Sequence, residues 1–211
     1  MSSVHDENIG EFLRRAISSE PTPGGASSAA LAAALGAAMV GMVASLTLGK
    51  KAYALYQEAA GKVLGRCQEL MDELQDLTGR DMKAYNAYME AVRLPQNSEA
   101  EARIREQALE EAGQQATEIP LTICQTCLAV IEQASTVADF GNRTAVSDAG
   151  AGVYLAWGAL QASMLNVDIN LLSLKDKSFA AIAQARRRDI LEEGEGRSQA
   201  ALAKIQRRIH D

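Results

Sequence analysis

Residues 21–51 read PTPGGASSAALAAALGAAMVGMVASLTLGKK, and no charged residue stands between the glycine pair and Lys50. Pro21 and Pro23 fix φ and disfavour a helix, so the chain enters this stretch as an extended or turning segment. The two glycines allow backbone angles, or a close ligand approach, that a Cβ would forbid. The uncharged run from 26 to 48 predicts a helix buried on all sides, whose small residues let another backbone come unusually close.

Both ends of this predicted helix carry groups that suit ligand binding. Its first backbone N–H groups lack intrahelical partners, and after a glycine turn they are available to a ligand. Its other end is followed by Gly49, Lys50 and Lys51, and cations are favourable at the C-terminal end of a helix dipole. The lysines therefore either complement the dipole or belong to a site, and the residues alone leave both interpretations open.

Size and composition indicate one helical domain. The chain has 211 residues, enough for a sizeable core, and we expect a single domain over 1–211. Hydrophobic residues make up 47% but aromatic residues only 4%, which favours packed helices over a sheet rich in aromatic residues. A net charge of −6 argues against general nucleic-acid binding, which needs a basic surface.

Cysteine usage and the N-terminal sequence predict the cellular location. Three cysteines without framework spacing suit a reducing cytosol. The acidic N-terminal sequence lacks the basic start and apolar core of a signal peptide. Residues 29–49 are long enough to span a membrane, but Ala and Gly are poor membrane formers and no second span follows. We expect a cytoplasmic protein that does not bind membranes.

Hydrophobic periodicity predicts helices along the whole chain, because no segment alternates with period two for long. Ser98 is a suitable N-cap, Pro120 suits a first helical turn, and Gly141-Asn142 suits a helix end. The predicted helices span residues 8–19, 26–48, 52–92 as one or two nearly collinear pieces, 99–117, 120–140, 147–165 with an extension towards 174, and 177–211 with an interruption at 192–196. The fold class is all-α, a multihelical bundle of long antiparallel helices with a buried Ala/Gly-rich helix.

Histidine chemistry is disfavoured by position. His5 and His210 lie near the chain ends, where chains usually fray, so acid–base work falls to Asp, Glu, Lys, Tyr or Cys. Cys124 and Cys127 resemble a redox pair, but no strand precedes them and they share a helix face with apolar residues, so we interpret them as core. A zinc site would need ligands that Cys67 cannot supply alone. We expect no metal and no redox cofactor.

Two carboxylates are candidates for catalysis. Asp148 lies in the first turn of an Ala-rich helix, where capping that helix is at least as good an interpretation. Asp81 and Tyr85 lie four residues apart and therefore share one helix face, among apolar residues expected to face the core.

Other polar residues suit ligand binding. Arg93 can hold a ligand carboxylate bidentately or pair with a surface acid. Asn166 and Asn170 lie four apart on an apolar helix and need partners if buried, either ligand amides or neighbouring helices.

A series of motifs resembles the formiminotransferase-cyclodeaminase family, which includes free-standing methenyltetrahydrofolate cyclohydrolases. The motifs are Pro-Thr-Pro-Gly-Gly at 21–25, Ala-Leu-Gly-Ala-Ala-Met at 34–39, Leu-Thr-Leu-Gly-Lys-Lys at 46–51, Asp81 with Tyr85, Arg-Leu-Pro at 93–95, Ile-Pro-Leu at 119–121, Gly-Asn at 141–142, Ser-Asp-Ala at 147–149 and Asn-Val-Asp-Ile-Asn at 166–170. They cover roughly residues 9–176. One departure is Ala26, where the family usually has a third glycine, and a left-handed backbone there would be strained.

The resemblance implies a folate one-carbon enzyme with a small-molecule substrate. The implied reaction converts 5-formiminotetrahydrofolate to 5,10-methenyltetrahydrofolate with release of ammonia. The alternatives are methenyltetrahydrofolate cyclohydrolase activity, in which water attacks the same carbon, and a non-catalytic helical folate-binding or scaffold protein. Any formiminotransferase would be a separate partner, because this chain is too short to contain one.

The resemblance also implies site residues. The implied catalytic residues are Asp148, Asp81 and Lys50, and the implied substrate-binding residues are Pro23, Gly24, Gly25, Ser27, Lys51, Tyr85, Arg93, Asn142, Asn166 and Asn170. The predicted helix at 26–48, about 35 Å long, exposes more apolar surface than one small bundle readily covers. We therefore expect a homodimer that uses this helix.

Overall fold

The computed structural model describes residues 8–210, and within them the chain forms six α-helices and no strand. The helices are α1 (Ile9–Ala16), α2 (Gly25–Thr47), α3 (Gln57–Val92), α4 (Glu99–Phe140), α5 (Val146–Leu171) and α6 (Lys177–His210), with short 3-10 segments at Lys51–Tyr56 and Arg143–Ala145. Helix α2 lies between α3 and α5, α4 packs on all three, and α6 covers α4 and α5. The predicted all-α class is confirmed.

Small residues bring α2 and α5 into close contact. A Cβ added to Gly36 would lie 3.0 Å from the Gly152 carbonyl oxygen, and one added to Gly152 would lie 2.8 Å from the Gly36 carbonyl oxygen. The expected close backbone approach is therefore confirmed. Within one chain the burial of α2 is incomplete, because Leu35 is 54% exposed and Leu46 is 42% exposed on its outer face.

The predicted helix break before Pro120 is wrong, because α4 continues through this residue. Its start agrees with the sequence, because Ser98 accepts a hydrogen bond from the Glu101 backbone in a capping box. Pro120 then lies inside one continuous helix. Proline has no N–H, so it leaves the carbonyl four residues earlier without its helical donor. The Asn170 side-chain amide donates to this Ala116 oxygen at 2.7 Å, which explains why the helix continues.

The predicted interruption of the last helix at 192–196 is wrong. The helix runs without a break from Lys177 to His210. Gly194 is buried against Trp157, and a Cβ there would lie 2.6 Å from the Trp157 ring. The glycine therefore permits close packing of α6 on α5. Its low helix propensity, which suggested a break, is outweighed by tertiary packing.

The remaining boundaries differ less from the predictions. Helix α1 is shorter than predicted, and only its Phe12 is buried. Residues 51–56 form a separate 3-10 turn before α3, which then passes through Gly79 without ending. His5 lies outside the described residues.

Two helices, α2 and α4, are long and apolar enough to cross a membrane by length and composition alone. The tested window of α2 is 56% buried within the bundle and that of α4 is 61% buried. Because the core helix of a bundle passes the same test, these lengths carry no membrane assignment.

Candidate functional site

The glycine loop ends at a corner where α2, α3 and α5 meet. Pro23 is buried and joined to Thr22 by a cis peptide bond, and Gly24 is the N-cap of α2 with an extended backbone. The N-cap Gly24 has no side chain to cap this helix start, and the Asp81 carboxyl of α3 meets the Ser27 backbone N–H there instead. Ala26 lies within the right-handed helix, and no non-glycine residue of the described chain has a positive φ. Its departure from the family pattern therefore introduces no left-handed strain.

Asp81 projects from α3 towards the start of α2. The Ser27 hydroxyl donates a hydrogen bond to Asp81 Oδ2 at 2.5 Å, and Ser27 is completely buried. Burial raises the pKa of the Asp81 carboxyl above its ordinary value, while hydrogen bonds from Ser27 act in the opposite direction. A carboxyl whose pKa moves towards neutrality can both accept and donate a proton, which acid–base catalysis requires.

Asn166 of α5 completes this corner. A Cβ added to Gly25 would lie 3.1 Å from Asn166 Nδ2 and 3.4 Å from Asn166 Oδ1, so the amide lies directly against the glycine. Its Nδ2 donates to the Ala162 carbonyl at 3.1 Å. Gly25 has no positive φ. A side chain at this position would therefore press on the Asn166 amide, although the backbone angle itself is an ordinary one.

We call the group Gly24, Gly25, Ser27, Asp81 and Asn166 the glycine corner. The structure brings these five predicted residues together from three helices and the preceding loop. Ser27 is completely buried, and its hydroxyl fixes the position of the Asp81 carboxyl.

The other end of α2 holds a second polar group of predicted residues. Asn142 donates its backbone N–H to Thr47 Oγ1 at 2.8 Å and its side-chain amide to the Leu46 carbonyl at 3.1 Å. The Arg143 backbone N–H donates to the Tyr53 hydroxyl at 3.1 Å. These bonds join the end of α2, the 3-10 turn and the turn between α4 and α5.

We call Thr47, Lys50, Lys51, Tyr53, Asn142, Arg143 and Asp148 the lysine corner. Lys50 and Lys51 are exposed, and Asp148 is half-buried in the first turn of α5. From Ser27 to Thr47 the distance along α2 is about 30 Å, and from Asp148 to Asn166 along α5 it is about 27 Å. One subunit therefore does not bring Asp148 or Lys50 to Asp81.

Three further predicted residues lie elsewhere. Tyr85 is 36% exposed, one turn beyond Asp81 on α3. Arg93 is the exposed C-cap of that helix, about 18 Å along it from Asp81. Asn170 uses its amide to satisfy Ala116, so its observed role is to tie α5 to α4.

Sequence reasoning missed residues that hold the two corners. Gln57 accepts from the Gly49 backbone N–H at 2.8 Å and donates to the Tyr53 carbonyl at 2.8 Å, which fixes the turn after α2. Arg15 donates to the Thr22 carbonyl at 3.4 Å and lies 3.5 Å from Glu20, beside the glycine loop. Neither belongs to a motif, and only the folded chain places them there.

The cysteines show no feature of a reactive site. Cys67, Cys124 and Cys127 are free and buried, and burial raises the pKa of Cys67 and of Cys124 to about 12. Their interpretation as core residues is confirmed. Within residues 8–210, no group of three or more His, Cys, Asp or Glu side chains is arranged to hold a metal ion.

Comparison with known proteins agrees with the motifs. Residues 8–189 match the formiminotransferase-cyclodeaminase family, and this range contains both corners. The chain belongs to this family. A methenyltetrahydrofolate cyclohydrolase from Methylorubrum extorquens is 40% identical over 175 residues, which cover 83% of this chain and 84% of that protein.

Two further members show the range of the family. The formimidoyltransferase-cyclodeaminase of Gallus gallus is 30% identical over 95% of this chain, but the chain spans only 37% of that protein. The crystal structure of a formiminotetrahydrofolate cyclodeaminase from Thermotoga maritima has a TM-score of 0.82 at 25% identity, covering 98% of both chains. The family's fold therefore extends through the whole of α6, beyond residue 189.

Proposed function

We propose that this protein is a folate one-carbon enzyme that acts on the methenyl carbon of 5,10-methenyltetrahydrofolate, with hydrolysis as its main reaction. The observation that carries the proposal is Asp81, a half-buried carboxyl of raised pKa held at the start of α2, where Gly25 and Asn166 also meet. The 40% identity to a cyclohydrolase of similar length supports hydrolysis over deamination.

In the proposed hydrolysis, water attacks the methenyl carbon while the Asp81 carboxylate takes a proton from it. A tetrahedral adduct forms, and its bond from this carbon to N5 breaks as the new hydroxyl loses its proton and becomes the formyl oxygen. N5 takes the proton held by Asp81, so 10-formyltetrahydrofolate and one proton are released. The substrate is a cation, so a carboxylate near the reacting carbon also stabilises it electrostatically. This chemistry requires no metal or redox cofactor.

Cyclodeaminase activity is the second candidate. In that reaction N10 attacks the formimino carbon of 5-formiminotetrahydrofolate, and the departing nitrogen leaves as ammonia after protonation. The similarity to a formiminotetrahydrofolate cyclodeaminase over 98% of the chain supports it. Both reactions use the same carbon and one acid–base group, so the glycine corner suits either.

The active assembly that we propose is a cytoplasmic homodimer formed through the outer face of α2. Leu35 and Leu46 are exposed there, with half-buried Met39 and Met42 between them, and the face carries no charge. A two-fold axis crossing α2 at right angles would place the lysine corner of one copy beside the glycine corner of the other. Such a site would combine Asp81 with Asp148 and Lys50.

Sedimentation of Leu35→Glu tests this dimer. The substitution should convert a dimer to monomers, whereas Leu55→Glu, at a residue 93% exposed off this face, should leave it intact. A wild-type protein that sediments as a monomer at micromolar concentration would contradict the assembly. In a monomer, the lysine corner would also remain far from Asp81.

The absorbance of the methenyl chromophore tests the reaction. Faster loss of absorbance from 5,10-methenyltetrahydrofolate indicates hydrolysis, and its appearance from 5-formiminotetrahydrofolate indicates deamination. Absence of both changes with folded protein would favour a non-catalytic folate-binding or scaffold protein. If deamination is found, a separate formiminotransferase is the expected source of its substrate.

A further inference from the structure

A groove of about 580 Å³ runs between α5 and α6. Its apolar side is formed by Leu165, Ile169 and Leu172, which are 69%, 63% and 81% exposed. Its polar side is formed by Arg187 and Arg188 on α6. The volume lies within the range of about 300–1,000 Å³ usual for small-molecule sites.

The groove borders the glycine corner. Its lining residues Leu165 and Ile169 lie one position before Asn166 on α5 and three after it, and residues three apart are neighbours on a helix surface. From Leu165 to Leu172 the groove extends about 10 Å along the helix axis. A ligand at Gly25 and Asn166 would therefore lie within one helical turn of the groove.

The arginines of the groove differ in their partners. Arg187 makes two hydrogen bonds to the Asp168 carboxylate, which fixes α6 against α5. The preceding residue, Arg186, donates to both carboxylate oxygens of Glu118 at 2.8 Å and faces α4. Arg188 lines the groove, is exposed, and has no ion pair within residues 8–210. It is the arginine of this run that can receive an anionic ligand.

We propose that this groove binds the p-aminobenzoylglutamate half of the folate substrate, with the ring against Leu165 and Ile169 and a glutamate carboxylate on Arg188. The chemistry of the groove matches this ligand, because an apolar wall on α5 faces the exposed Arg188 on α6. Arg188 is then a specificity-determining residue. The inference rests on the proposed folate function and extends it to a second part of the substrate.

Binding of p-aminobenzoyl-L-glutamate alone, without the pterin, tests the groove. Titration of the wild-type protein followed by methyl NMR should shift the Leu165 and Ile169 signals. Arg188→Gln should weaken this binding roughly tenfold, because a charge-assisted hydrogen bond to carboxylate is lost. Arg207→Gln, an exposed arginine at the far end of the same helix, is the matched control and should bind normally.

Kinetics with the complete substrate provide the second measurement. Arg188→Gln should raise KM roughly tenfold and leave kcat within about twofold, because its carboxylate contact is the same in ground and transition states. Unchanged fragment affinity in Arg188→Gln, or no shift at Leu165 and Ile169, would overturn the groove assignment. Fragment binding in a protein that turns over no folate would instead count against the proposed function, so the two failures are distinguishable.

Discussion

The two ends of α2 are built differently. At the lysine corner, Thr47, Tyr53, Gln57 and Asn142 form a connected set of hydrogen bonds that satisfies one turn and two helix ends. At the glycine corner, the N-cap Gly24 has no side chain, and the half-buried Asp81 carboxyl meets the Ser27 hydroxyl and backbone N–H, with its pKa raised by desolvation. One end is held by hydrogen bonds among neutral groups, and the other holds an ionisable carboxyl at a helix start.

This difference indicates a structural role for one end of α2 and a chemical role for the other. Satisfied buried hydrogen bonds fix geometry, because leaving either partner alone is unfavourable. A carboxyl with a raised pKa at a helix start favours a functional site over a structural one. We therefore propose proton transfer by Asp81, and positioning by the bonds around Thr47. Asp148 and Lys50 act, in our proposal, only where a second copy brings them to Asp81.

The largest expected effect is that of Asp81→Asn. The substitution keeps the size of the side chain and an acceptor for Ser27, but removes the titrating group. Turnover of the methenyl substrate should fall roughly a hundredfold or more, as expected for loss of an acid–base group. Asp72→Asn, at an exposed position of the same helix, is the control. Near-normal turnover by folded Asp81→Asn at saturating substrate would remove the glycine corner as the catalytic centre.

Asp148→Asn tests whether the two corners meet in a dimer. The N-cap of α5 is Ala145, and Asp148 lies in its first turn, so loss of its charge beside the helix dipole should change stability by less than about 1 kcal/mol. Turnover should fall roughly a hundredfold if the carboxylate serves the reaction. Co-expression with Asp81→Asn should then restore about a quarter of wild-type activity, because half of the dimers carry one intact composite site. No recovery in confirmed mixed dimers would show that Asp81 of one copy and Asp148 of the other do not form a shared site.

Gly25→Val sharpens the assignment of the ligand space. Because Gly25 has no positive φ, the new side chain introduces no left-handed strain, and its Cβ would instead displace Asn166. Folate affinity should fall roughly tenfold or more, with helical content unchanged by circular dichroism. Gly61→Val is the control, because a Cβ there meets nothing within 4 Å. Unchanged folate affinity would indicate that the glycine loop only begins α2 and does not bind the ligand.

Thr47→Val tests the architectural role of the lysine corner. It leaves the Asn142 backbone N–H without its acceptor and should lower the free energy of unfolding by about 1–3 kcal/mol. Thr136→Val is matched, because Thr136 bonds only within its helix and is exposed. Urea denaturation measures both, and equal losses would show that the bond to Asn142 contributes little.

The smallest effect concerns pH and stability. Because the pKa of Asp81 is raised in the folded state, the native protein binds more protons than the unfolded chain above the ordinary Asp value of 3.8. Stability from this group is therefore lost as pH rises from that value through the raised pKa. Asp81→Asn lacks this loss, so its stability relative to wild type should increase over the same window. A pH-independent difference would contradict the raised pKa.

Much of the fold was predictable because it depends on local pattern. The Ser98 capping box, the apolar periodicity and the glycine loop each act within a few residues, and all appear in the structure. The predicted breaks at Pro120 and Gly194 were wrong for a common reason. In each case a residue distant in sequence, Asn170 or Trp157, compensates for what the local sequence disfavours.

The sequence by itself determined the all-α class, the family and the residues from which a folate site could be built. Only the tertiary structure decided that Asp81 and Asn166 share the glycine corner while Asp148 and Lys50 lie at the other end of α2. The antiparallel packing of α3 and α5 against α2 sets these distances, because a helix rises only 1.5 Å per residue and helix ends lie far apart. The order of the motifs along the chain does not show how far apart they lie in the folded protein.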